Sequence, residues 1–452
     1  MSVNFKGGNR KQLFLFPPSV DDWLPEDHLA RFVVEIVDQL DISSSRNEYG
    51  GRGSTAYDPA MMIALLFYGY ATGVFSSRKI ERSTHDSVAF RYIAGNTHPD
   101  HDTIATFRRR FLPHLKEIFV QILRIAHEMS ILRLGAVSLD STKVKASASK
   151  HRALSHGHAC KLEQQLKEEI VTLLRKAEQT DCADLPDGMS VPEEISRREE
   201  RLEAIRNAKA EIESRAAERY TEENKAYKEK IAKRKAKQKK TGKKPPGRPP
   251  KPPKVGPSSK EQVNLTDDES RIMPISGGGF DQCCNAQAGV DTASQLIVCS
   301  HLSQKPNDKQ EMEPALAELQ GYSSDFGELT GILADNGYFS NANCALAEKA
   351  GITAYIAVGQ EQHNQTLANR CSDSPSLVKN PDRKATMRHR LHTKVGKVLY
   401  AARKSTVEPV FGIIKHVLGF RQFSLRGLEH VTGEWDLVSL AWNLKRMHVL
   451  TK

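Results

Sequence analysis

Three carboxylates stand where an acid is either costly or well placed. Asp140 lies in GAVSLDSTKVKA (135–146), an apolar run with strand character. A carboxylate is expensive to bury in a strand unless it is paired or holds a metal. Asp335 closes GELTGILAD (327–335), an apolar strand followed by the turn NGYF. The carboxyl end of a strand is where α/β folds place their sites, although a turn or helix-capping Asp is the ordinary alternative. Glu408 follows Val407 in LYAARKSTVEPVFGIIKHVLGFRQFSLRG, with Lys415 seven positions on, two helical turns away on the same face. A solvated Glu–Lys helix face gives the same spacing. Glu434 is a rival third acid, but Trp435, Leu437, Leu440, Ala441 and Leu444 around it look like packing positions of a closing helix.

The elements around these acids are legible in part. Ser340 is placed to cap a helix over NANCALAEKA that stops at Gly351, and ITAYIAV (352–358) is another strand. Strand, helix and strand in so short a span make a βαβ unit with parallel neighbours. Strands are also expected at 279–290 and 295–302. Residues 12–130 read as mainly helical, with helices around 26–40, 58–72, 76–84, 102–112 and 114–131. Within them, HPDHDTIATFRRRFLPHL suggests an Asp-capped helix exposing Arg108, Arg109 and Arg110 after a helix-turn-helix approach to a major groove; a solvated arginine face is the alternative. Residues 161–234 read as long charged helices with a narrow apolar stripe, a hairpin or coiled coil broken at CADLPDG.

Charge is concentrated. The chain of 452 residues carries net +11, yet Lys228 to Lys254 hold thirteen Lys or Arg against one Glu, so the remainder sums to about −1. KEKIAKRKAKQKKTGKKPPGRPPKPPK is low in complexity and nearly free of hydrophobics, and is expected to be disordered or loosely extended in isolation. Its GRP, with Arg248, resembles an AT-hook lying in a narrow A·T minor groove; a non-specific polybasic linker is the alternative. No apolar stretch is long enough for a membrane span, and no secretory signal is expected. Seven cysteines form no C-x-x-C pair, which fits reduced thiols in the cytoplasm. His151, His156 and His158 have no zinc-ligand spacing, and no structural zinc is expected.

Together the motifs resemble a DDE-type insertion-sequence transposase with an RNase H-like catalytic core. The resemblance rests on FLFPPSVDDWLPEDHLARFV, SLDSTKVKASASKH, FDQCCNAQAGVD with QLIVCS, NDKQEMEPAL, ILADNGYF, and VEPVFGIIK with GFRQFSLRG, in that order along nearly the whole chain. It implies an α/β fold: an RNase H-like mixed sheet with flanking helices (131–150 and 262–452), an all-helical N-terminal DNA-binding domain (1–130), and a helical, coiled insertion ending in a basic Pro-rich linker (151–261). It also implies that Asp140, Asp335 and Glu408 are the catalytic, metal-holding triad.

The family's third motif joins Tyr, Arg, Glu and Lys. Tyr400, Arg403, Glu408 and Lys415 nearly reproduce it, but the Arg-to-Glu gap is one residue longer than the family's. Lys404 holds the usual basic position, so either it or Arg403 takes the phosphate-binding role beside Lys415. Two Mg²⁺ ions about 3.5–4 Å apart, with Mn²⁺ as substitute, would activate the incoming oxygen and stabilise the departing one. Partners implied are double-stranded DNA, as terminal inverted repeats and target, and further copies of the chain in a homodimer or higher oligomer on DNA; no membrane is involved. The expected location is the cytoplasm, on the nucleoid when DNA is bound. Alternatives are an RNase H-like repair or recombination nuclease and a catalytically idle DNA-binding derivative.

Overall fold

A computed structural model describes residues 19–47, 49, 56–179, 191–242, 247–275, 277–359 and 381–452. Contacts divide the chain into two compact units, one of residues 1–144, 285–425 and 429–452, the other of 145–284 and 426–428.

The first unit opens with helices α1 (Leu29–Asp38), α2 (Ser43–Asn47), α3 (Pro59–Ala71), α4 (Ser77–Asp86), α5 (Val88–Ile93), α6 (His101–Phe111) and α7 (Leu115–Glu128). All five helices expected from the sequence are present, and the short α2 and α5 are additional. Helix α3, PAMMIALLFYGYA, is apolar all round and is accordingly buried from Met62 to Ala71. It starts at Asp58, whose carboxylate accepts from Ala60 N, with Pro59 in the first turn. Asp100 caps α6 as expected, accepting from Thr103 N at 2.8 Å.

The sheet follows. Strand β1 (Ala136–Lys145) is central, with β5 (Phe280–Asp291) on one side and β7 (Gly331–Ala334), then β8 (Thr353–Ile356), on the other. Hydrogen bonds from Ala146 N to Gln282 O and from Thr292 N to Ala136 O make β1 and β5 antiparallel. Strand β6 (Ile297–Ser303) runs antiparallel to β5, whereas β7 is parallel to both β1 and β8. This mixed sheet with flanking helices is RNase H-like, and the parallel β7–β8 pair is the one expected from the βαβ pattern. Helix α10 (Met312–Phe326) leads into β7, and α11 (Asn341–Lys349) joins β7 to β8. Ser340 caps α11 by accepting from Asn343 N.

Among the described residues three further helices follow: α12 (Arg383–His392), α13 (Lys394–Gly412) and α14 (Leu428–Leu450). Trp435, Leu437, Leu440, Ala441 and Leu444 of α14 are all buried, as the packing reading required. Asn443 locks this helix to β6, accepting from Ile297 N and donating to Ile297 O, each at 2.8 Å.

The second unit is built on a helical hairpin of α8 (His156–Gln179) and α9 (Val191–Thr241). Leu166, Leu202, Ile205, Ala208 and Ile212 form its apolar seam, joined by Leu154 and Val263 from the small two-stranded sheet of β2 (Ala153–Ser155) and β3 (Gln262–Asn264). Charged pairs tie the helices across that narrow seam: Glu163 meets Lys209, and Glu169 meets Arg198. Strand β4 (Arg271–Pro274) pairs with the start of β5. The expected break at CADLPDG lies outside the described residues. The basic tract differs from expectation, because α9 continues unbroken through its first half to Thr241. Lys, Ala and Gln there are good helix formers, and an existing helix extends without a new nucleus.

Candidate active site

The register of β1 against β7 pairs Leu139 with Ala334, so Asp140 and Asp335 leave neighbouring parallel strands at the same level. Asp140 is still within β1 and largely buried; its Oδ1 accepts from Ser141 N at 2.8 Å. Asp335 follows β7 and turns its Oδ1 onto Gly337 N at 2.8 Å, capping the single turn 336–338. The turn role and the strand-end position thus belong to the same residue.

Glu408 arrives from α13, its carboxylate about half exposed. Between it and Asp140 lies Arg403, one turn earlier on the same helix. Arg403 Nη2 donates to Asp140 Oδ2 at 2.8 Å and Nη1 to Glu408 Oε1 at 3.0 Å. Its side chain is only 12% exposed, whereas Lys404 faces solvent. The basic residue at the acids is Arg403, despite the extra residue in its spacing.

Burial pushes the Asp140 carboxyl up to about 6 even with Arg403 opposing it; Asp335 and Glu408 nearby add to the rise. Burial works equally against the Arg403 charge, but Asp140, Tyr400, Asp335 and Glu408 outweigh it and raise its pKa. One arginine therefore serves three acids. The buried acid among them is ionised at a cost that added positive charge would relieve.

A fourth carboxylate, overlooked in the sequence, stands beside them. Asp308 Oδ1 accepts from Asn285 Nδ2 at 2.8 Å and from Gln287 Nε2 at 2.7 Å. A Cβ built on Gly337 would lie 2.9 Å from Asp335 Oδ1 and 3.2 Å from Asp308 Oδ2, so both carboxylates border the space above that glycine. Gln287 is held in turn by the Tyr338 hydroxyl, which donates to its Oε1. The only signal in the sequence was NDKQEMEPAL, part of the resemblance in which no residue stood out.

The donors here suit a hard divalent cation: carboxylate oxygens, one of them buried and short of positive charge. The Nε of Arg403 is moreover buried without a partner, so its side chain is not fully satisfied where it sits. Among the described residues, no three His, Cys, Asp or Glu side chains stand close enough to close round one ion. Arg403 occupies the interval between Asp140 and Glu408 instead.

Residues 18–110 match the Transposase domain (DUF772) family, and residues 254–444 match the Transposase DDE domain family. The chain belongs to the DDE transposases of insertion sequences. Neither the curated proteins nor the solved structures yielded a match. The transposase has, among its described residues, no helix long and apolar enough to cross a membrane.

Other expected site residues fall at very different places. Lys415 lies in a widened turn, Ile413–Val417, with π-helical bonding, and its Nζ donates to Lys143 O at 2.7 Å. The wide turn breaks the straight two-turn spacing from Glu408, but Lys415 still reaches β1. Tyr400 is half-buried on α13 and acts on the Arg403 charge. Arg248 is exposed.

Arg108 requires a correction. It is buried in the transposase, its Nη1 donating to the Tyr70 hydroxyl and to Phe75 O, both at 3.1 Å. Tyr70 donates in turn to Glu434 Oε1 at 3.3 Å. Arg108 is therefore an internal brace, and only Arg109 and Arg110 face solvent. Glu434 is fully buried and also accepts from Ser424 N and Leu425 N, which gives the rival acid a structural place.

Proposed function

We propose that the transposase cuts DNA strands and joins the freed ends to new DNA, using Asp140, Asp335 and Glu408 as the carboxylates that hold divalent metal ions. The observation that carries this reading is the meeting of Asp140 with Arg403 and Glu408, beside Asp335 on the adjacent parallel strand. When bound, two Mg²⁺ or Mn²⁺ ions would activate an attacking oxygen and stabilise the leaving one.

The chain's own groups have distinct tasks in this scheme. Asp140, buried and fixed by Ser141 N, offers the most rigid ligand oxygens. Asp335, clamped on Gly337 N, offers a second oriented carboxylate. Glu408, on a helix and half exposed, is the one with freedom to adjust. Arg403 neutralises two acids while no DNA is present, and its planar fork suits a phosphate as well as it suits carboxylates. Lys415, anchored at Lys143 O, adds a second cation near β1. Water attacks in the cleavage step and a 3′-hydroxyl in the joining step. Asp308, held by its amide partners, borders the same space as Asp335.

Arg109 and Arg110 on α6 remain candidates for contact with terminal repeats, and Arg248 for A·T-rich minor grooves. Assembly as a homodimer or larger complex suits a reaction that brings two DNA ends together. Incubating the protein with Mg²⁺ and its own element's ends tests the reading. Wild type yields cleaved and joined products, and Asp335→Asn yields neither while binding the same DNA. Cleavage without joining would favour a nuclease.

A further inference from the structure

The apolar seam of the helical hairpin ends near Ala216, yet α9 runs on to Thr241. Along this extension Tyr227, Ile231 and Arg234 are half-buried, at intervals of four and three. On the returning segment Pro250 and Pro253, three apart, are half-buried too. A helix shows one face at steps of three and four, and a polyproline II strand shows one at steps of three. The two series are the facing sides of a helix and an extended strand. Their contacts agree: Arg234 donates to Gly247 O, Tyr227 lines a cavity with Pro250 and Pro253, and Arg219 donates to Gly256 O. The strand therefore runs antiparallel to the helix.

The outer faces are cationic. Residues 228–241 carry eight Lys or Arg, and positions 248, 251 and 254 add three, against Glu229 alone. No lysine of this stretch forms an ion pair among the described residues. Lys233 and Lys237, and Lys235 and Lys239, stand four apart on the helix, where like charges repel. A helix held straight against its own repulsion, with no acid on the returning strand 247–257, is built to meet a polyanion. Among the described residues its outer surface shows no exposed aromatic or large aliphatic side chain except Val255, which does not suit stacking on unpaired bases or entry into a lipid boundary.

We infer that this paired helix and polyproline strand, residues 219–242 and 247–257, form an arm that grips duplex DNA along its phosphate backbone. The partner follows from membership of the transposase family; the carboxylate site plays no part in the argument. The cationic stretch of helix is about 20 Å long, close to six base pairs at about 3.4 Å each. Packing against the strand fixes the charges before DNA arrives, so less ordering is needed on binding.

The test uses the full chain and random-sequence duplex across a salt series. Replacing Lys233, Lys235, Lys237, Lys239 and Lys240 by Gln keeps helix propensity and removes five charges. The slope of log K against log salt should become shallower by roughly 2 to 4 units, and low-salt affinity should fall at least about tenfold; an unchanged slope overturns the proposal. A second variant, Tyr227→Ala with Pro250→Gly, loosens the hairpin without touching a charge. It should keep the slope and lose roughly fivefold in affinity by the ordering argument, and wild-type affinity would refute the preformed arm. A larger loss on phosphatidylserine vesicles or single-stranded RNA than on duplex would also overturn it. Cleavage at element ends, measured at low salt, should survive in both variants, which separates failure of the arm from failure of the acids.

Discussion

Arg403 Nη2 meets Asp140 Oδ2 at 2.8 Å across 263 residues of sequence, bringing α13 onto the central strand of the sheet. Both side chains are mostly buried, so the contact is shielded from solvent in a way surface ion pairs are not. The same guanidinium holds Glu408, and the two acids gather round a cation supplied by the chain itself.

Arg403→Ala should therefore destabilise the metal-free protein by about 1–3 kcal/mol, because a buried carboxylate loses its partner. Protonation of Asp140 limits the loss. Arg403→Lys should recover little, since an ammonium cannot fork to two carboxylates. Lys404→Ala, at an exposed position, should stay within about 0.5 kcal/mol. Denaturant unfolding in the presence of a chelator measures all three, and equal losses for Arg403→Ala and Lys404→Ala would contradict the assignment.

The three consecutive arginines of α6 should separate in the same way. Arg108→Ala breaks the buried series Arg108, Tyr70, Glu434 and leaves the Tyr70 hydroxyl and Phe75 O without their shared donor. A loss of about 1–3 kcal/mol is expected. Arg109→Ala and Arg110→Ala should leave the melting temperature nearly unchanged. Any selective effect on end-DNA binding should appear only in these two, compared with random duplex at one salt concentration. Three indistinguishable melting curves would refute the internal role of Arg108.

Asp436 provides a pH test away from the acids of the candidate site. Burial pushes its carboxyl up to about 6, against the opposing pull of Lys116 and a hydrogen bond from the Ser300 hydroxyl. The folded state then holds a proton that the unfolded chain, near 3.8, has already released. Stability from this group is full below about 3.8 and is lost as pH rises through about 6. The shift corresponds to roughly 3 kcal/mol at neutral pH. Asp436→Asn should gain stability relative to wild type between pH 4 and pH 7 by an amount of this order. A difference that does not change with pH would show that Asp436 titrates normally.

The β7–α11–β8 unit was readable because its signals are local: an apolar run, the Ser340 cap, and Gly351. The strand pairing that sets Asp335 beside Asp140 was not readable from either motif alone, and only the order of motifs suggested it. Arg108 was misplaced because the groups that bury it, Tyr70 and Phe75 O, are more than thirty positions away. Asp308 did not stand out within NDKQEMEPAL, because its place depends on Asn285 and Gln287 of β5, about twenty positions away. The continued helix in the basic tract was hidden by its composition, which resembles a solvated linker until Pro250 and Pro253 are seen lying against Tyr227.

If Asp140 holds a catalytic metal ion, a change in its ligand chemistry changes which metal supports joining. Asp140→Cys replaces hard carboxylate oxygen by a softer thiolate, which Mg²⁺ tolerates poorly and Mn²⁺ accepts better. Strand joining should be followed with a duplex carrying the element's end and a free 3′-hydroxyl, in either metal. The variant should give no joined product in Mg²⁺ and partial recovery in Mn²⁺, with wild type active in both. Joining by wild type in the presence of a chelator, or full activity of Asp140→Cys in Mg²⁺, would contradict a metal-holding role for Asp140.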